Sequence, residues 1–145
     1  ESIKALGKLK SYKMHIAWDD GEADGEFIFG MVTNTTSVGG FSGLAPKDVS
    51  FHDGLFEGLF IRTPKSPVDL PNILSGLLLF PEQENKDMIR FKSSKFTVTA
   101  DEDVPWVLDG EFGGAVKEAK IENVKEAVTL SCSPEPEKKE EKTEN

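Results

Sequence analysis

Val104-Pro105-Trp106-Val107-Leu108-Asp109-Gly110-Glu111-Phe112-Gly113-Gly114 is the stretch on which the fold reading turns. Its apolar half, Val104 to Leu108, reads as a buried strand. Asp109-Gly110-Glu111 then sets two carboxylates around a glycine at the strand's end. Glycine places no side chain beside the acids, so a ligand or metal can approach the backbone closely. The end of a rigid element is a useful mount for a catalytic base or metal ligand. On an extended backbone, residues two apart share a face, which would direct Asp109 and Glu111 into one cleft. The same letters fit an ordinary Asp-Gly hairpin turn with an exposed glutamate, and by pattern alone that is the commoner outcome.

Working outward, most of the chain reads as short strands. Met14, Ile16 and Trp18 alternate, which predicts a strand over 13–18 with His15 on its solvent side. Asp19-Asp20-Gly21 is a turn signal, and residues 19–26 (DDGEADGE) read as a solvated hairpin loop. Strands are expected over 26–34, 55–62, 88–92 and 96–100, with a last β-prone piece at 127–130. Ile3, Leu6, Leu9 and Tyr12 have the spacing of a short helix. Thr35 to Asp48 is loop-like, and Gly39-Gly40 within it fits a flexible loop better than an anion cradle. Asp69 to Leu79 carries Ile73, Leu74, Leu77 and Leu78 at helical spacing, with Asp69 as N-cap and Pro81 as stop. That helix is expected to pack on the core, although it is apolar enough to touch lipid. The sum is a mainly β chain, a two-sheet β-sandwich with one convincing helix. Residues 1–132 form the domain; the charged tail 133–145, with no apolar residue, is expected to be disordered.

Composition narrows the function classes. The 145 residues suffice for one domain with a core. Net charge is −9, from 17 basic and 26 acidic residues, without the basic patch of a nucleic-acid binder. One cysteine, Cys132, excludes an intrachain disulfide and suits a reducing, cytoplasmic setting. No apolar run approaches the ~20 residues that span a bilayer. Glu1-Ser2-Ile3-Lys4 has no signal-peptide pattern and no initiator Met, so the chain is expected to begin within a longer protein. One Cys and two His leave little for zinc. Neither G-x-S-x-G nor a phosphate-binding nucleotide loop is present. Asp53 lies in Phe51-His52-Asp53-Gly54-Leu55, either a plain turn or a carboxylate that binds Mg²⁺ or Ca²⁺ with nearby carbonyls.

The order of the pieces is more specific than any one of them. Val32-Thr33-Asn34 ends a strand; Gly39-Gly40-Phe41 and Leu44-Ala45-Pro46 follow. His52-Asp53-Gly54-Leu55-Phe56 leads into a strand, then come a helix and Leu108-Asp109-Gly110-Glu111. Over roughly residues 3 to 130 this order resembles the C-terminal β-sandwich domain of the bacterial diacylglycerol kinase family. That family includes the YegS-like lipid kinases and is related to sphingosine kinases and, more distantly, to NAD kinases. The resemblance implies a second domain whose ATP-binding partner, with its Gly-Gly-Asp-Gly-Thr loop, lies outside this chain. It implies ATP and Mg²⁺ as cofactors and a diacylglycerol-like lipid as substrate. It further implies peripheral membrane contact through that substrate, a possible homodimer, and no kinase activity in this chain alone. It makes Asp109 the general base, with Glu111 supporting the site or its Mg²⁺. It makes Asp53 the carboxylate of a structural Mg²⁺ site, with carbonyls at Ser50 and Leu55. One departure is His52, where the family often has an acid; this lowers the local negative charge. The alternatives are a non-enzymatic β-sandwich binding module, or a kinase of another alcohol such as phosphatidylglycerol or a sphingoid base.

Overall fold

A computed structural model describes residues 10–35, 53–66, 68–78 and 85–128. Six strands, β1 (Tyr12–Trp18), β2 (Gly21–Thr33), β3 (Phe56–Arg62), β4 (Met88–Ser93), β5 (Lys95–Leu108) and β6 (Glu111–Glu122), flank one helix, α1 (Asp69–Leu78). The strands form one antiparallel sheet in the order β4-β3-β2-β1-β5-β6. The mainly β character and the helix are as expected. The two expected sheets take a different form, because β2 and β5 are long enough to join both halves of the ladder. The sheet also packs on itself: Val104 and Trp106, beyond an irregularity in β5, rest on the cluster of Met14, Ile16, Phe27, Phe60, Phe96 and Val98.

β3 is buried on both faces, which explains its unbroken Leu59-Phe60-Ile61 run. Phe60 faces the aromatic side, while Leu59 and Ile61 meet Ile73 and Leu77 of α1 and Met88 of β4. The helix is therefore a core-packing element, with Leu74 on its exposed side. Asp69 does not cap the helix in the expected way. Its Oδ2 accepts hydrogen bonds from the preceding amides of Lys65 and Ser66, at 2.8 and 2.7 Å. Pro71 has no N–H to offer a capping oxygen two residues upstream. Burial pushes the Asp69 pKa up, and the Ser66 and Lys65 amides more than offset that, so it lies below the usual range.

The DDGEADGE segment is also corrected. Only Asp19 and Asp20 form the turn, and Gly21 to Glu26 already pair with β1. The turn is tied to the β4–β5 connection. Asp19 Oδ2 accepts from both the amide and the hydroxyl of Ser94, each at 2.7 Å, and the Asp19 amide donates to Ser93 Oγ at 3.0 Å. The Ser94 hydroxyl, then its amide, holds the Asp19 carboxyl below its ordinary 3.8. A carboxyl depressed in the folded state contributes stability above its unfolded pKa and loses it as pH falls through the folded one. Between about pH 5 and pH 2, urea midpoints should therefore fall more steeply for the wild type than for Asp19→Asn. Equal slopes would mean that the Ser94 contacts do not form.

The expected helix over residues 3–12 falls mostly outside the described residues; its last position, Tyr12, is the first of β1. The Gly39-Gly40 loop and the 133–145 tail lie wholly outside them, as does most of the 127–130 strand.

Candidate functional site

The β5–β6 hairpin is a finger extending past its neighbour. Pairing of β5 with β1 ends at Ala100, whereas β5 and β6 stay paired to Leu108 and Glu111. Pro105 sits in this overhang, where the β1 side asks for no N–H. Asp109 and Gly110 form the tip, with φ of 50° and 90°. Two central residues with positive φ make a type I′ turn, the tight hairpin connection that Asp-Gly favours. The extended geometry expected for Asp109 and Glu111 is therefore absent, since the chain reverses between them. Both carboxylates are exposed, beside Val107, Leu108 and Phe112, which are 66%, 62% and 73% exposed. The finger thus presents two acids within an uncovered apolar surface.

β6 was missed by periodicity because Gly113, Gly114 and its charged residues blur the alternation. The usable signal was Asp109-Gly110 itself, flanked by Val107-Leu108 and Phe112.

Asp53 begins a second acidic locus, at the foot of β3. Its Oδ1 accepts the Leu55 amide at 2.9 Å, and Gly54 takes φ 77° to close the turn. The Leu55 carbonyl accepts from Asn123 Nδ2 at 3.2 Å, which leaves one of its two lone pairs. These oxygens have the hard-donor chemistry that Mg²⁺ prefers. Ser50 and His52 lie outside the described residues. Four positions after Asp53 stands a residue that the sequence reading passed over. Glu57 is 2% exposed and neither carboxylate oxygen has a hydrogen-bond partner. Lys92 Nζ is 3.7 Å from Oε1, an ion pair too long for a hydrogen bond. Burial pushes the Glu57 pKa up, the Lys92 charge opposes this, and the Asp53 charge adds to it. The available signal was an acid inside the apolar strand Phe56-Glu57-Gly58-Leu59-Phe60-Ile61. Among the described residues, no group of three or more His, Cys, Asp or Glu is arranged to hold a metal ion.

A shallow groove of about 210 Å³ runs between β2 and the β5 overhang, lined chiefly by Tyr12, Met14, Phe29, Gly30, Val104 and Trp106. Its lining is largely apolar. Trp106 precedes Asp109 by three residues, roughly 10 Å along a strand. His15 lies on the opposite, polar face, as its alternation predicts. Its Nδ1 is 3.0 Å from Asp24 Oδ1, a cross-strand pairing that spacing in sequence did not disclose.

Comparison with known proteins agrees with this architecture. The chain is 31% identical over 114 residues, 79% of its length, to the diacylglycerol kinase of Bacillus subtilis strain 168. The chain is a homologue of the bacterial diacylglycerol kinases. Two diacylglycerol kinases from Staphylococcus epidermidis strains are each 25% identical over 114 residues. The chain spans 37% and 35% of these relatives, a little over a third of their length. A crystal structure of a diacylglycerol kinase from Bacillus anthracis str. Sterne superposes with TM-score 0.56 over 83% of this chain and 43% of that one, at 16% identity. A putative diacylglycerol kinase from the same organism gives 0.59 over 83% and 41%, at 17% identity. Those likenesses show the fold, that of the C-terminal β domain of diacylglycerol kinase-like structures. No protein-family model matches the chain. Among the described residues, no helix is long and apolar enough to cross a membrane.

Proposed function

We propose that this chain is the C-terminal part of an ATP-dependent lipid kinase whose acceptor is the hydroxyl of diacylglycerol. The observation that carries the reading is the 31% identity over 114 residues to a protein named diacylglycerol kinase. The position of Asp109 supports it. An exposed carboxylate on a projecting finger suits a site completed by a second, ATP-binding domain.

In this reading Asp109 takes the proton from the lipid hydroxyl as its oxygen bonds to the γ-phosphorus. The bond from phosphorus to the bridging oxygen breaks, and ADP leaves. Glu111, across the turn, adds negative charge that can orient the cation accompanying ATP. Mg²⁺ supplies charge neutralisation on the phosphates when bound. Asp53 and the Leu55 carbonyl, with Ser50 as the resemblance implies, would hold a separate structural Mg²⁺ at the foot of β3. The groove beside Trp106 takes a segment of an acyl chain. At about 210 Å³ it is smaller than the ~300–1,000 Å³ of whole-ligand pockets. The exposed apolar residues of the finger face the lipid, which keeps the protein at the cytoplasmic membrane surface only while it holds substrate.

The test is phosphoryl transfer from ATP to diacylglycerol in mixed micelles. The full-length protein should produce phosphatidic acid, and the 145-residue chain alone should produce none. Transfer to phosphatidylglycerol or a sphingoid base in place of diacylglycerol would reassign the acceptor. Transfer to no lipid alcohol would leave a non-enzymatic β module.

A further inference from the structure

We propose that Gly113 is a positioning residue for Asp109: it is the bare seat on which Leu108 lies, and that seat fixes where the Asp109 carboxylate stands. The proposal rests on the reading of Asp109 as general base given above.

The finger is anchored at one end only. Val104 and Trp106 rest on the core cluster. Beyond them the ladder changes step. Trp106 pairs with Gly114 but Val107 pairs with Phe112, so Gly113 is passed over as a bulge. A bulge bends and twists its strand and re-aims what lies past it. Gly114 accommodates the bend at φ 109°, a conformation that other residues rarely adopt. Past the bulge lie the last pair, Leu108 with Glu111, and then the turn at Asp109-Gly110. Among the described residues, a Cβ at Gly110 would meet nothing within 4 Å, so the turn is not propped from that side. Its place is therefore set by the last pair, and Leu108, at 62% exposed, lies outside the core cluster.

Leu108 lies instead across Gly113. A Cβ at position 113 would stand 2.7 Å from Leu108 Cγ and 2.8 Å from its Cδ1, but 3.6 Å from its Cβ. Carbon atoms in ordinary contact are about 3.5–4.0 Å apart, so a methyl group at 113 displaces the Leu108 side chain by roughly 1 Å. Leu108 is bonded directly to Asp109. A general base must come within hydrogen-bond reach of the hydroxyl, and a misplacement of about 1 Å can cost about a hundredfold in rate. The 3.6 Å separation also shows how the clash is relieved. With Gly113→Ala and Leu108→Ala combined, the two Cβ atoms are in ordinary contact.

The experiment measures steady-state transfer from ATP to diacylglycerol by the full-length protein carrying Gly113→Ala, Leu108→Ala or both, beside Asp109→Asn. Gly113→Ala should lower kcat about ten- to a hundredfold, with KM for ATP unchanged. Leu108→Ala should lower kcat less. The double variant should exceed Gly113→Ala alone, a recovery that two independent losses do not give. Thermal unfolding midpoints should change little, since both positions are exposed. If Asp109→Asn loses activity while Gly113→Ala keeps wild-type kcat, the seat is overturned and the base assignment survives. A loss confined to KM for diacylglycerol, or a double variant no better than Gly113→Ala, also overturns it. If Asp109→Asn works at the wild-type rate, or the full-length protein phosphorylates no lipid alcohol, both readings fall. Should Gly113→Ala fail to fold, Leu108→Ala decides: wild-type kcat in that variant overturns the proposal.

Discussion

On the proposed function, replacing Asp109 by asparagine in the full-length protein is expected to lower kcat for diacylglycerol phosphorylation about 10²–10⁴-fold, the usual worth of a positioned general base. Asparagine keeps the size of the side chain and tolerates positive φ at least as well as aspartate, so the type I′ turn at φ 50° and 90° should persist. What it lacks is an oxygen that can accept a proton at neutral pH. KM for ATP should stay near the wild-type value, because the proposed function assigns the nucleotide to a second domain. Thermal stability should be unchanged, since Asp109 is exposed at the tip of the finger. Steady-state kinetics on both substrates test this directly. A loss confined to KM for the lipid would make Asp109 a substrate-orienting group, and wild-type kcat would remove it from the mechanism. Glu111→Gln is the comparison to make beside it, with a smaller loss in kcat expected because the role proposed for that residue is toward the cation, not the hydroxyl.

The difference in legibility between the two acidic loci follows from physics. The Asp-Gly hairpin is a local structure: two residues with positive φ and flanking apolar residues specify it without help from the rest of the chain. Its shape could thus be read from eight letters. Whether its two acids do chemistry could not, because a turn of this kind is equally stable with or without a catalytic role. Strands with strict alternation, such as Met14 and Ile16 in β1, were equally plain. β6 was not, because an edge strand needs only one satisfied flank and one packed face, and its glycines and charges hide the period. Glu57 stood out only as an acid in an apolar strand, and its burial was hidden for a different reason. Its burial is produced by what surrounds β3, and nothing in Phe56-Glu57-Gly58 says that β2 and β4 will flank it on both sides. The Asp24–His15 pair likewise depends on register, which only the two-residue turn at Asp19-Asp20 fixes.

The largest loss of stability should come from Phe60→Ala. Phe60 is 2% exposed on the central part of the sheet, in contact with Phe27 edge-on and Phe91 stacked, each with ring centroids 6.0 Å apart. Phe91 in turn stacks on Trp18 at 4.4 Å and meets Phe96 edge-on at 5.8 Å. Removing one ring therefore opens a cavity and also unseats an aromatic chain that links β2, β3, β4, β1 and β5. Phe→Ala in a core costs about 3–5 kcal/mol, against about 5–15 kcal/mol for the whole of a domain. The backbone ladder cannot make up the difference, because the strands that Phe60 joins are held in register by the same cluster. Phe60→Leu should lose less, since most of the volume remains. Urea unfolding of the two variants, with equal m-values as the check on a shared native state, measures both. The consequence reaches the finger. Val104 and Trp106 rest on this cluster, and they are the anchor from which the Asp109 turn projects. On the proposed function, a Phe60→Leu variant that stays folded should therefore lower kcat of the full-length protein with little change in KM for ATP. Full activity in that variant would show that the finger is not positioned by this core.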